Sequence, residues 1–165
     1  MTLKDKGTEV SLFIPVYAEN TVVKKNGRKS GRKLPPKGEG LVLIADDEDY
    51  ILQLAGSILS FGGYESITAR DGSEAVKIFI EHQDDIKLVI LDMIMPNKNG
   101  MDAYNEIKLV NPDARILFSS GLRNRENEPI TEIPDDAAFL PKPYTAEQLL
   151  QMVDRLIVRK IKNRR

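Results

Sequence analysis

From Leu41 onward the chain sets short apolar runs against longer amphipathic stretches. Residues 41–45 (LVLIA), 87–91 (KLVIL) and 114–120 (ARILFSS) are continuous apolar runs rich in branched side chains, the pattern of strands covered on both faces. Residues 64–69 (YESITA) and 137–140 (AAFL) carry the same signal more weakly. Between them, residues 50–61 place Ile51, Ala55 and Ile58, with Leu52 and Leu59, on one helical stripe that stops at Gly62 and Gly63. Residues 71–82 repeat the logic with Ala75, Val76, Phe79 and Ile80, and residues 100–110 with Met101, Tyr104, Ile107 and Leu109. A last helix is expected over 145–161, with Leu149, Leu150, Val153, Leu156, Ile157 and Ile161 behind a Thr145 N-cap and Glu147 in its first turn. Residues 124–136 are polar and interrupted by proline, so a short irregular helix is the most they predict.

Strands alternating with helices imply right-handed crossovers, and hence an α/β fold: a doubly wound, five-stranded parallel sheet with helices on both faces. In such sheets the working site lies at the carboxyl ends of the strands, beside the switch in strand order. The first strand ends in Asp46, Asp47 and Glu48, the third in Asp92, the fourth in Ser119 and Ser120, and the fifth in Lys142 and Pro143. Acidic strand ends also serve as plain helix N-caps, but four strands of one sheet supplying such groups together point to chemistry. Clustered carboxylates repel one another unless a cation sits among them. An all-oxygen donor set suits Mg²⁺, with Mn²⁺ as the alternative ion. A lysine beside that metal adds a compact charge for a phosphoryl oxygen, and a carboxylate can itself accept a phosphoryl group. The set fits phosphoryl transfer to an Asp.

Composition narrows the choice. The 165 residues, 41% hydrophobic and 30% charged, suit one domain with a real core. With no cysteine there is no disulfide framework or thiolate zinc site, and a lone His82, expected at a helix end, makes a Ser-His-Asp triad improbable. No run approaches the roughly 18 apolar residues of a spanning helix, and Met1 is not followed by a signal-peptide pattern, so the expected location is cytoplasmic. The net charge of −1 hides an asymmetry: residues 1–38 hold nine Lys/Arg against three Asp/Glu, and the remainder fifteen against twenty-two. The basic stretch 24–39, rich in Gly and Pro, reads as a flexible linker; without an aromatic residue it offers bases nothing to stack on, so no nucleic-acid partner is expected. The terminal RKIKNRR reads as a solvated helix end.

In order and spacing, LVLIADDE, LDMIMPNKNG, ILFSSG and FLPKPY resemble the receiver domains of two-component response regulators, over residues 40–162. The resemblance implies the strand order 2-1-3-4-5. It further implies Asp92 as phosphoacceptor, Asp46 and Asp47 as metal-binding acids with Asp92 and the Ile94 carbonyl, Ser120 as switch hydroxyl, Lys142 as the phosphate-pairing lysine, and a cis bond before Pro143. Ser119 reads as a buried, hydrogen-bonded strand residue. Phe139 stands where the family places an aromatic switch and reads equally as core, whereas Pro96 and Gly100 read as turn residues. The resemblance also places Ile94 and Leu122 beside the path of hydrolytic water, which implies a long-lived phosphate. Expected partners are a histidine kinase or a His phosphotransfer protein, with no membrane contact in this segment and a weak homodimer left open.

Residues 1–23 add DKGTEVSLFIPVYAEN, which resembles the last strand of a histidine-kinase ATPase domain. On that reading the chain is the carboxyl-terminal receiver of a hybrid sensor kinase whose parent is membrane-anchored; the competing reading is a standalone regulator. No effector domain is expected after Arg165. Two rival functions stand beside phosphotransfer. A haloacid-dehalogenase-type phosphatase would need Asp where Ile94 stands, and a phosphorylation-independent binding module would not need the acceptor set.

Overall fold

The structure, a computed structural model, describes residues 38–121 and 133–158. The leader 1–23, most of the linker, Leu122, residues 124–132 and the terminal RKIKNRR lie outside the described residues. The elements run β1 (Leu41–Ala45), α1 (Asp49–Gly62), β2 (Glu65–Ala69), α2 (Gly72–His82), β3 (Ile86–Leu91), α3 (Gly100–Val110), β4 (Ile116–Ser120), β5 (Ala138–Pro141) and α4 (Ala146–Val158). The five strands form one sheet in the order β2-β1-β3-β4-β5, every neighbouring pair parallel. Strand order therefore reverses between β1 and β3, where crossovers leave to opposite faces and a crevice opens at the carboxyl ends.

Alternation along the strands divides the core in two. Leu43 and Ala45 of β1, Val89 and Leu91 of β3 and Phe118 of β4 face α2 and α3, where they meet Val76, Phe79, Ala103 and Ile107. Val42, Ile44, Leu88, Ile90 and Leu117 face α1 and α4, against Leu52, Ala55, Leu59, Leu149 and Val153. β2 lies at the sheet edge with Glu65, Ser66 and Thr68 exposed, which explains its weak apolar signal.

Helix ends follow local chemistry. Gly63 adopts φ +91° and its N–H closes on Ser60, ending α1. Asp71 and Asn99 cap α2 and α3, each accepting the N–H three residues on. Thr145 caps α4 reciprocally: its hydroxyl accepts from Gln148 N–H while the Gln148 side chain accepts from Thr145 N–H. His82 ends α2.

Two residues expected on buried stripes face solvent. Ile80 is 48% exposed and Leu109 84%. At about 100° per residue, Ile80 sits a quarter turn past Phe79 and Leu109 lies nearly opposite Ile107, so neither can share the core stripe. Ile51 and Ile58 are half-buried flanks of α1, and Leu52, Ala55 and Leu59 form its inner face.

Two buried tyrosines tie helices to distant segments. The Tyr64 hydroxyl donates to Asp154 of α4. Tyr104 donates to Asp136 at 2.5 Å, and Lys108 pairs with the same carboxylate at 2.7 Å, fastening α3 to the approach to β5. Burial and the Asp136 carboxylate push the Tyr104 phenol up to about 12.

Because Phe79 is fully enclosed and Ile80 is not, Phe79→Ala is expected to cost about 3–5 kcal/mol. Ile80→Ala should stay within about 0.5 kcal/mol of the parent protein. Urea unfolding of the two variants checks the assignment of faces.

Candidate functional site

The carboxyl rim collects its groups from strands that end side by side. Asp46 follows β1, Asp92 follows β3 with its N–H on the Ala45 carbonyl, and Ser120 closes β4. The carbonyl of Ser120 accepts from the N–H of Lys142, which sets that lysine just past β5. The Lys142–Pro143 bond is cis, as expected. Carboxylate oxygens of Asp46, Asp47 and Asp92 lie within 4.8 Å of one another. Lys142 Nζ donates to Asp46 Oδ2 at 2.5 Å and to Asp92 Oδ2 at 3.2 Å. Asp46 Oδ1 accepts the Glu48 N–H at the start of α1, so both Asp46 oxygens are engaged.

Asp92 is different. Its Oδ1 is buried with no hydrogen-bond partner, and the whole side chain is nearly enclosed. Burial pushes the Asp92 carboxyl above its usual range; Lys142 and the N–H of Ile94 oppose this without cancelling it, and the charge of Asp46 adds to it. Lys142 moves up as well: burial alone would lower it, but the bond to Asp46 and the charges of both carboxylates outweigh that cost. Two carboxylates thus share one ammonium with Asp47 close by, and an acceptor oxygen is left over. A small cation with an appetite for oxygen fits that deficit, and one or two carboxylates plus water is the ordinary protein shell of Mg²⁺. Above the acids opens a cleft of about 720 Å³ with Tyr50, Ile51, Leu54, Ile94 and Tyr144 among its walls, and Asp47, Asp92, Ser120 and Lys142 among its polar groups.

A family model describing the response regulator receiver domain matches residues 42–154. This chain belongs to that family. It is 31% identical over 118 residues to the chemotaxis protein CheY of Bacillus subtilis, a match covering 70% of this chain and 96% of CheY. With the sensor kinase CckA of Brucella abortus it is 29% identical over 159 residues, which covers 92% of this chain but spans only 17% of the kinase. Among solved structures, a receiver domain from Clostridium thermocellum superimposes with a TM-score of 0.65 at 34% identity, over 72% of this chain and 94% of that one. The receiver of the hybrid histidine kinase CckA gives 0.61 at 30% identity, over 72% and 99%.

In this receiver the fold brings Asp46, Asp47, Asp92, Ser120 and Lys142 to one rim, as the sequence led one to expect. The cation beside Asp46 and Asp92 is Lys142 itself, supplied from 50 or more residues away, where sequence alone had left their repulsion to a metal. Ile94 lines the cleft with its side chain 72% exposed. Phe139 is half-buried and packs on the core beside α2 and α3. Ser119 is buried as expected, its side chain on the face shared with Leu117 and not in the cleft that Ser120 lines. The sequence did not flag Tyr50, Leu54 or Tyr144 as cleft walls, nor Asn97, whose positive φ only a fold reveals.

The raised carboxyl of Asp92 has a stability consequence. Between the ordinary carboxylate value and the raised one, native protein holds a proton that the unfolded chain has released. Stability therefore falls as pH rises through that window and is fully present below it. Metal-free Asp92→Asn protein is expected to unfold at a higher temperature than the parent at pH 7, with the gain shrinking as pH is lowered below the usual carboxylate range. Thermal melts in EDTA at stepped pH check this.

Proposed function

We propose that the domain takes a phosphoryl group from a phosphohistidine onto Asp92, with Mg²⁺ held by Asp46, Asp47, Asp92 and the Ile94 carbonyl. The observation that carries the reading is the buried, unpartnered Asp92 Oδ1 beside Lys142 and two further carboxylates. In the transfer the phosphorus–nitrogen bond of the donor breaks as a phosphorus–oxygen bond to Asp92 forms, and the imidazole leaves with the electron pair. Bound Mg²⁺, or Mn²⁺ in its place, would neutralise charge on the phosphoryl oxygens. Lys142 meets another of those oxygens as a point charge, and Ser120 donates to a third once the acyl phosphate is made. Movement of Ser120 then admits Phe139 toward the vacated space, and the altered β4–β5 face is what a partner reads.

The donor is a histidine kinase or a His phosphotransfer protein, and the chain serves as the receiver, residues 40–162, of a hybrid sensor kinase. Residues 42 to 165 make up only three quarters of the chain, so a match over 92% of it with sensor kinase CckA must reach into the segment before them. That supports reading residues 1–23 as the end of a kinase catalytic domain and 24–39 as its linker. Among the described residues no helix is long and apolar enough to cross a membrane, and the working location of the domain is the cytoplasm.

Incubation with acetyl phosphate and Mg²⁺ should add one phosphoryl mass to the parent protein and none to Asp92→Asn, and excess EDTA should prevent labelling. Undiminished labelling of the variant would remove Asp92 from the role. A second outcome concerns lifetime. Ile94, and Leu122 by its place in the sequence, are apolar where hydrolytic water must approach in line. Ile94→Asn and Leu122→Glu are therefore expected to change the decay rate of the phosphorylated protein several-fold, about the worth of one water-orienting hydrogen bond. Equal decay in all three proteins would mean these side chains do not govern water access.

A further inference from the structure

We infer that Asp71 and Asn97 form a latch that positions the loop after β3, and with it the backbone of Ile94, for the chemistry at Asp92. The inference rests on the reading of the site given above. The loop is pinned at both ends. At its base the Gly100 N–H donates to the Met93 carbonyl at 3.2 Å, and a Cβ on Gly100 would lie 2.1 Å from the Asp92 carbonyl oxygen, so only glycine lets these backbones meet. At its tip Asn97 adopts φ +61°, a left-handed conformation that Asn tolerates better than most residues. Its Nδ2 donates to Asp71 Oδ2 at 2.8 Å. Next to it the Gly72 N–H donates to the Lys98 carbonyl at 3.0 Å, where a Cβ on Gly72 would come within 2.5 Å of that oxygen.

Asp71 is itself fixed from the other side. Its Oδ1 accepts the Glu74 N–H as the cap of α2, while the Glu74 carboxylate accepts the Arg70 N–H at 2.7 Å. The Glu74 N–H, with the Asn97 amide, holds the Asp71 carboxyl below its usual range, so it stays charged at neutral pH and is a strong acceptor. Inside the loop, Met95 plugs into the core between the sheet and α2 and α3. Ile94 lies in the same loop between Asp92 and Met95, its side chain left in the cleft. With base, plug and tip held, the peptide of Ile94 has one place to be. Asp71 and Asn97 are thus positioning residues, remote from the reacting atoms and acting through the loop.

Three variants separate the latch from the helix cap. Asn97→Gly keeps the left-handed backbone and removes the amide. Asp71→Ser keeps an N-cap oxygen and removes the second acceptor. Asp71→Asn restores the pair, because the Asn97 amide can turn to accept from the new amide group. Mg²⁺ titration followed by backbone amide shifts reads the site without any phosphorylation. Asn97→Gly and Asp71→Ser should raise half-saturating Mg²⁺ at least about fivefold, toward the range typical of lost outer contacts at metal sites. Asp71→Asn should return to within about twofold of the parent. In the metal-free proteins, hydrogen exchange should quicken at residues 93–99 in the first two variants alone. Unchanged Mg²⁺ half-saturation in Asn97→Gly overturns the inference, and so does a loss of overall stability in Asp71→Ser with no change in Mg²⁺ binding. If the parent protein binds Mg²⁺ and the variants weaken it but acetyl phosphate labels none of them, the latch stands and the phosphoryl-transfer reading fails.

Discussion

A single ammonium group, Lys142, answers two nearly buried carboxylates where water has little access, and the rest of the rim is arranged around that imbalance. Asp46 is satisfied twice over, by Lys142 and by the Glu48 N–H at the start of α1. Of the two lysine bonds Asp92 receives the longer, and its Oδ1 stays unpaired. Coulomb attraction in a water-poor crevice is several times stronger than at an open surface, so this asymmetry decides which carboxylate stays ready for a new partner. On the proposed function, the cost of an unpaired buried oxygen is tolerated because the same deficit draws a cation and a phosphoryl group to the rim.

Burial on both faces of the strands makes such a site achievable. β1, β3 and β4 place their side chains in two cores, leaving polar chemistry only the strand ends. Because strand order reverses between β1 and β3, the carboxyl ends of those two strands open onto a crevice that no crossover covers. Asp46, Asp92 and Lys142 stand one residue past β1, β3 and β5, which a continuous ladder of backbone bonds holds side by side, while Asp47 follows in the bend before α1. Loops contribute the adjustable parts: Ile94 from the stretch after β3 and Pro143 and Tyr144 from the stretch after β5.

The cleft walls and floor divide the work. Tyr50, Ile51 and Leu54 of α1 line one cleft with Ile94, Tyr144, Asp47, Asp92, Ser120 and Lys142, so apolar side chains stand beside the charged groups. Across the sheet, Tyr104, Asp136 and Lys108 join α3 to the approach to β5, which makes the face carrying Phe139 continuous with α3.

Much of this was legible in the residue order. Continuous branched runs mark β1, β3 and β4, and a glycine after α1 and a threonine before α4 mark two helix ends, because those signals act within a few residues. Strand-end acids could be named for the same reason. Which residues of a stripe meet the core was less legible: Ile80 and Leu109 differ from their buried neighbours by rotation about a helix axis, and the packing partner sets where that stripe falls. The pairing of Lys142 with Asp46 and Asp92 joins residues 96 and 50 positions apart, so only the folded sheet could establish it. Asn97 makes the same point, since its left-handed backbone and its bond to Asp71 arise from two loops that meet only once β3 and α2 are packed. Local free energies are written in the order of residues; the distances that let charges act on one another come from the packing of the whole chain.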